Sequence, residues 1–116
     1  MEADSANTLV VVWSANDPDV AMNMVFMFCK NSLLKKWWER VKLVVWGPSA
    51  KLLSEDAVLQ KELVQVKNAG VELFACKACA DRYNVADQLT ELGLRVIYMG
   101  APLTEYLKSG AKVLVV

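Results

Sequence analysis

The sequence predicts an α/β fold with three layers, α/β/α, built on a five-stranded parallel sheet. Five short apolar runs rich in β-branched residues recur along the chain, and the stretches between them carry helix start and stop signals. The first run is continuous rather than alternating, as in strands covered on both faces. Strands alternating with helices imply right-handed crossovers and helices on both sides of the sheet. With 116 residues the chain is expected to form one domain over residues 1–116, burying roughly two thirds of its unfolded surface.

After a short polar tail, Leu9 to Trp13 is the first strand. Asp17 then reads as an N-cap with Pro18 at the first helical position and Asp19 at the positive helix end, so a helix is expected from there to about Lys36. Val41 to Trp46 is the second strand, ended by Gly47-Pro48. Ser49 to Leu53 makes a short helical turn. A longer helix starts at Ser54-Glu55-Asp56, with Leu59, Leu63 and Val66 on one stripe and Gly70 as its left-handed stop. Val71 to Ala75 is the third strand and leads into Cys76. Helices over Lys77 to Tyr83 and Val85 to Leu92, with a break at Asn84, precede the fourth strand, Leu94 to Met99. Leu103 to Lys108 is helical, and Lys112 to Val116 is the fifth strand. The expected strand arrangement is flavodoxin-like.

Composition excludes several functions. The 13 basic and 13 acidic residues give zero formal charge and are mixed along the chain, so no long-range field favours nucleic acid or anionic lipid. No window reaches the ~18–20 apolar residues of a membrane-spanning helix, and Met1 to Thr8 has acids where a signal peptide is basic and apolar. A cytoplasmic protein is expected, in keeping with an odd count of three cysteines. Histidine is absent, which excludes Ser-His-Asp and Cys-His pairs and His-ligated metals within one chain. The apolar share of 55% exceeds the usual ~45–50%. The first helix concentrates the surplus: from Val20 to Cys29 only Asn23 is polar, so one flank is expected to meet another subunit. Its methionines read as packing rather than a soft-metal site. Cys29 reads as an inert buried thiol, and Trp37-Trp38 as packing at the helix exit.

In open α/β sheets ligands bind at the carboxyl ends of the strands, where strand order reverses. Those ends supply the candidate cleft residues Asn16, Asp17, Gly47, Ser49, Lys77 and Gly100, and the candidate reactive thiols Cys76 and Cys79. Gly47 to Ser49 lacks the spacing of a phosphate loop. Cys76 is expected near backbone N–H groups at the first turn of a helix, with Lys77 and Arg82 adding positive field, both of which favour thiolate. A thioredoxin-type disulfide site would follow the first strand, and a closed zinc or iron–sulfur site needs about four ligands, so a metal would have to be shared between subunits. Cys76 acting as a persulfide carrier or thiolate, and two thiols that merely pack a helix–sheet seam, are the other readings.

The opening strand with its Asp17-Pro18 helix, the run Val45-Trp46-Gly47-Pro48-Ser49-Ala50-Lys51-Leu52-Leu53, the Gly70-Val71 strand into Cys76, and Gly93 to Val116 resemble the DsrE/DsrF-like family. These small α/β proteins include subunits of bacterial sulfur-relay complexes. The resemblance implies a parallel five-stranded sheet, assembly into homo-trimers or homo-hexamers, sulfur-transfer protein partners, and a sulfur-accepting cysteine at the end of the third strand in members active in transfer. Cys76 matches that position, whereas Cys79 is not part of the general pattern. The function expected on this basis is a cytosolic sulfur-carrier or thiol-relay protein that accepts sulfur as a persulfide on Cys76, with Cys79 as resolving thiol and no cofactor or resident metal. The competing function is a small-molecule-binding or regulatory module whose cysteines are structural.

Overall fold

The apolar runs become strands β1 (Thr8–Trp13), β2 (Arg40–Val45), β3 (Glu72–Cys76), β4 (Arg95–Ile97) and β5 (Lys112–Val115). The computed structural model describes residues 7–116, so the acidic start of the tail, at 1–6, lies outside the described residues. Every pairing is parallel, and the strand order is β4-β3-β2-β1-β5. The class and the five-stranded parallel sheet are those the sequence predicts. The order departs from the flavodoxin-like 2-1-3-4-5, because each step from β1 through β4 adds a strand on the same side, and only the last crossover returns to pair β5 with the free edge of β1.

That order decides the layers. Right-handed crossovers that advance in one direction place their helices on one face, and a crossover that reverses direction places its helix on the other. Helix α1 covers residues 18–34, followed after β2 by α2 (Pro48–Glu55) and α3 (Ala57–Asn68), and after β3 by α4 (Lys77–Arg82) and α5 (Ala86–Glu91). These five share one face. Leu9, Val11 and Trp13 of β1, Leu43 and Val45 of β2 and Leu73 and Ala75 of β3 pack there with Phe26, Leu53, Leu63, Ala80 and Leu89. Among the described residues the opposite face is covered by one helix, α6 (Gly100–Lys108), where Leu103 and Tyr106 pack on Val10, Val12, Val44, Phe74, Cys76 and Met99.

Local signals place the helix ends. The Asp17 carboxylate accepts from the Asp19 and Val20 N–H groups at 2.9 and 3.2 Å, and Asp56 caps α3 by accepting from Leu59 N–H at 3.0 Å. Gly70 takes φ +107 after α3, and Asn84 takes φ +57 between α4 and α5, as a stop and a break require. Helix α1 differs from expectation. It is α-helical at Pro18–Val20, a π-helix at Ala21–Phe26 and α-helical again at Met27–Leu34. The wider π turn lets the neighbours Val25 and Phe26 both reach the core, while Met24 and Met27 stay 38% and 47% exposed.

Cys29 of α1 is fully buried, and burial pushes its thiol up to about 12. Because the folded value lies above the unfolded one, near 9.0, the associated stability is complete below pH 9 and is lost as pH rises toward 12. The loss approaches ~1.4 kcal/mol per pH unit within that window. Urea titrations at stepped alkaline pH are expected to show the stability gap between wild type and Cys29→Ala shrinking above pH 9. A constant gap would contradict this.

Candidate functional site

The chain leaves β3 into α4 on the five-helix face and leaves β4 into α6 on the opposite face, while β3 and β4 are hydrogen-bonded neighbours. Their carboxyl ends therefore diverge and open a crevice, the position at which parallel sheets bind ligands. Cys76 and Ile97 are register partners at this edge. The crevice thus begins at Cys76 on one side and at Tyr98, Met99 and Gly100 on the other.

Cys76 closes β3 and is the N-cap of α4, with extended φ −66° and ψ 116°. Its side chain points to the α6 face among Val12, Val44, Phe74 and Met99 and is 4% exposed. One helical turn later Cys79 is half-buried and packs against the same cluster. Cys79 thus lies beside Cys76. Partial burial and then hydrogen bonding to Cys76 hold the Cys79 thiol above the ordinary thiol range, with the Gly47 N–H and the Arg82 charge acting in the opposite sense. All three cysteines are free thiols. Helix α4 has only six residues, so the dipole that the sequence places at Cys76 is short.

The cleft residues named from the sequence divide into two groups. Gly47 belongs to the site. It follows β2, the strand beside β3, and its φ +69° and ψ −134° suit glycine and aim its N–H at Cys79. Lys77 borders the crevice, with its Nζ 5.7 Å from the Tyr98 ring centroid. Its ammonium is paired with Asp81 at 2.9 Å, and that hydrogen bond raises its pKa. Its charge is thus offset, and Arg82 is the cation that acts on Cys79. Gly100 opens α6 and is exposed.

Asn16 and Asp17 follow β1, two strand positions or ~10 Å from β3. Asp17 is occupied as a helix cap. Ser49 is buried, donating to the Trp13 carbonyl and accepting from Trp46 N–H, so it braces β1 against α2. Tyr98 and Met99 were not singled out in the sequence, where they read as the end of the fourth strand; β4 stops at Ile97. A cavity of about 330 Å³ lies at the opposite, amino ends of β3 and β4, lined by Lys67, Gly70, Glu72, Gly93 and Arg95. Among the described residues no group of three or more Cys, Asp or Glu side chains could hold a metal, and no helix is long and apolar enough to cross a membrane.

Fold and site together define a small parallel α/β protein with a thiol pair at the carboxyl edge of its sheet. The DsrE/DsrF-like family model matches residues 3–116, and the chain belongs to that family. A conserved protein of unknown function, BT1422, from Bacteroides thetaiotaomicron is 37% identical across 100% of this chain and 98% of its own, with a TM-score of 0.93. The ychN protein from E. coli, 15% identical across 95% of this chain and 98% of its own, shares the fold at a TM-score of 0.71. Among curated proteins no sequence matches the chain.

Proposed function

We infer that the protein is a sulfur carrier whose acceptor is Cys76. The observation that supports this reading most is the place of Cys76: it ends β3 at the switch-point crevice, with a second thiol, Cys79, packed in the same cluster. Family membership supports it too. In the loading step the Cys76 thiolate attacks the outer sulfur of a donor persulfide, R–S–SH. The donor S–S bond breaks, R–S⁻ leaves and takes up a proton, and Cys76 becomes Cys–S–SH. Nothing is oxidised or reduced overall, so no cofactor is needed. The apolar wall of Val12, Val44, Phe74 and Met99 keeps water and small thiols from the product.

In this reading the protein is cytosolic, acts as a homo-trimer or homo-hexamer, and exchanges sulfur with sulfur-transfer proteins. Met24, Met27, Leu34 and Trp37, exposed along and just after α1, supply apolar surface for an assembly.

The test uses the Cys79→Ser chain, so that nothing Cys79 does afterwards can obscure loading. After anaerobic incubation with an organic persulfide and desalting, cyanide is expected to release one thiocyanate per chain. The Cys76→Ala/Cys79→Ser double variant is expected to release none. Absence of thiocyanate from the single variant, or an equal yield from the double variant, would remove the reading.

A further inference from the structure

Resting on that reading, we propose that Cys79 discharges the Cys76 persulfide as sulfide, which makes the site a persulfide reductase as well as a carrier. The outcome depends on which sulfur of the persulfide Cys79 attacks. In a loaded chain Cys76 Sγ is the inner sulfur of Cys–S–SH, and Cys79, one helical turn on and packed in the same apolar cluster, is the thiol placed beside it. Attack on the outer sulfur only moves the sulfane atom to another thiol. Attack on the inner sulfur breaks the S–S bond and expels hydrosulfide, a leaving group that departs readily because its conjugate acid is strong for a thiol.

The step balances as Cys76–S–SH + Cys79–SH → Cys76–S–S–Cys79 + H₂S. The two cysteine sulfurs are oxidised to a disulfide, the sulfane sulfur is reduced to sulfide, and the Cys79 proton leaves with it. A dithiol reductant must then reopen the disulfide before the next load.

Two features of the structure favour this discharge. Cys76 at the N-cap and Cys79 in the first turn of α4 are one turn apart, a spacing at which two side chains face each other. Cys76 is buried at 4% exposure, so its inner sulfur is screened from outside thiols while Cys79 shares its apolar cluster.

The experiment follows wild type and Cys79→Ser by quenched, alkylated mass spectrometry under anaerobic conditions, with glutathione persulfide as the probe and sulfide measured in parallel. In wild type a species heavier by one sulfur is expected first. It then converts to a species lighter than the free dithiol by two hydrogens, with a cross-linked Cys76–Cys79 peptide and one extra sulfide released per chain. Cys79→Ser is expected to stop at the persulfide, and Cys79→Ala, which removes any polar group at that position, to do the same. Wild type that holds its persulfide as long as Cys79→Ser does, or a Cys79→Ser chain that releases sulfide at the wild-type rate, would overturn the proposal and leave the carrier reading standing. A Cys79→Ser chain that never gains sulfur on Cys76 would overturn both.

Discussion

Phe26→Ala is expected to lower the unfolding free energy by about 3–5 kcal/mol, the range for truncating a buried aromatic. Phe26 is fully buried in the π turn of α1. Its ring meets the indole of Trp13, also fully buried, edge-on at 5.2 Å between centroids and 79° between planes. Truncation removes both the ring's burial and this aromatic pair, and β1 and α1 are too closely packed around it to collapse fully into the gap. Since domains of this size are stable by only about 5–15 kcal/mol, the variant is expected to unfold at much lower urea with an unchanged slope. Met27→Ala, one residue on and 47% exposed, is expected to change stability by under ~1 kcal/mol. Equal losses at the two positions would contradict the π-turn register.

Cys76→Ala is expected to reduce sulfur uptake to background while leaving the fold intact. Alanine suits the apolar surroundings of Val10, Val12, Val44, Phe74 and Met99, and only the sulfur atom and its contact with Cys79 are lost. Cys76→Ser places a hydroxyl in the same cluster, where an unsatisfied polar group costs about 1–3 kcal/mol. Loss of uptake in the serine variant would therefore mix chemistry with packing, whereas loss in the alanine variant isolates the thiol. Thermal melts separate the two, with alanine expected nearer wild type. An alanine variant that still takes up sulfur would place the acceptor elsewhere.

The strands were legible because each apolar run is short, β-branched and closed by a turn residue. Trp13 and Val45, for instance, end β1 and β2 where Ser14 and Gly47-Pro48 break the pattern. The order of the strands was not legible. The same alternation of strands and helices is compatible with β5 lying beside β1, as it does, or elsewhere, because the pairing of two equally apolar strands leaves no local mark. The π turn was hidden for a related reason: with Val20 to Cys29 apolar except at Asn23, hydrophobic periodicity cannot distinguish a 3.6-residue turn from a wider one.

The thiol site was read more fully than its surroundings. The three-residue spacing of Cys76 and Cys79 after β3 was enough to place both on one turn, and a glycine after β2 was enough to single out Gly47. Asp17 and Ser49 were named by the same rule, yet they serve as a helix cap and a strand brace, since a polar residue beside a strand end has the same appearance in either role. Tyr98 and Met99 escaped notice because the apolar run from Leu94 continues through them, although hydrogen bonding to β3 ceases at Ile97.

The central claim, that Cys76 is the sulfur acceptor, is tested most directly by peptide-level mass spectrometry of the Cys79→Ser chain after exposure to an organic persulfide, with thiols blocked at quench. The expected result is one added sulfur on the peptide that contains Cys76 and an unmodified Cys29. Sulfur found on Cys29, or on no peptide while the donor is consumed, would contradict it.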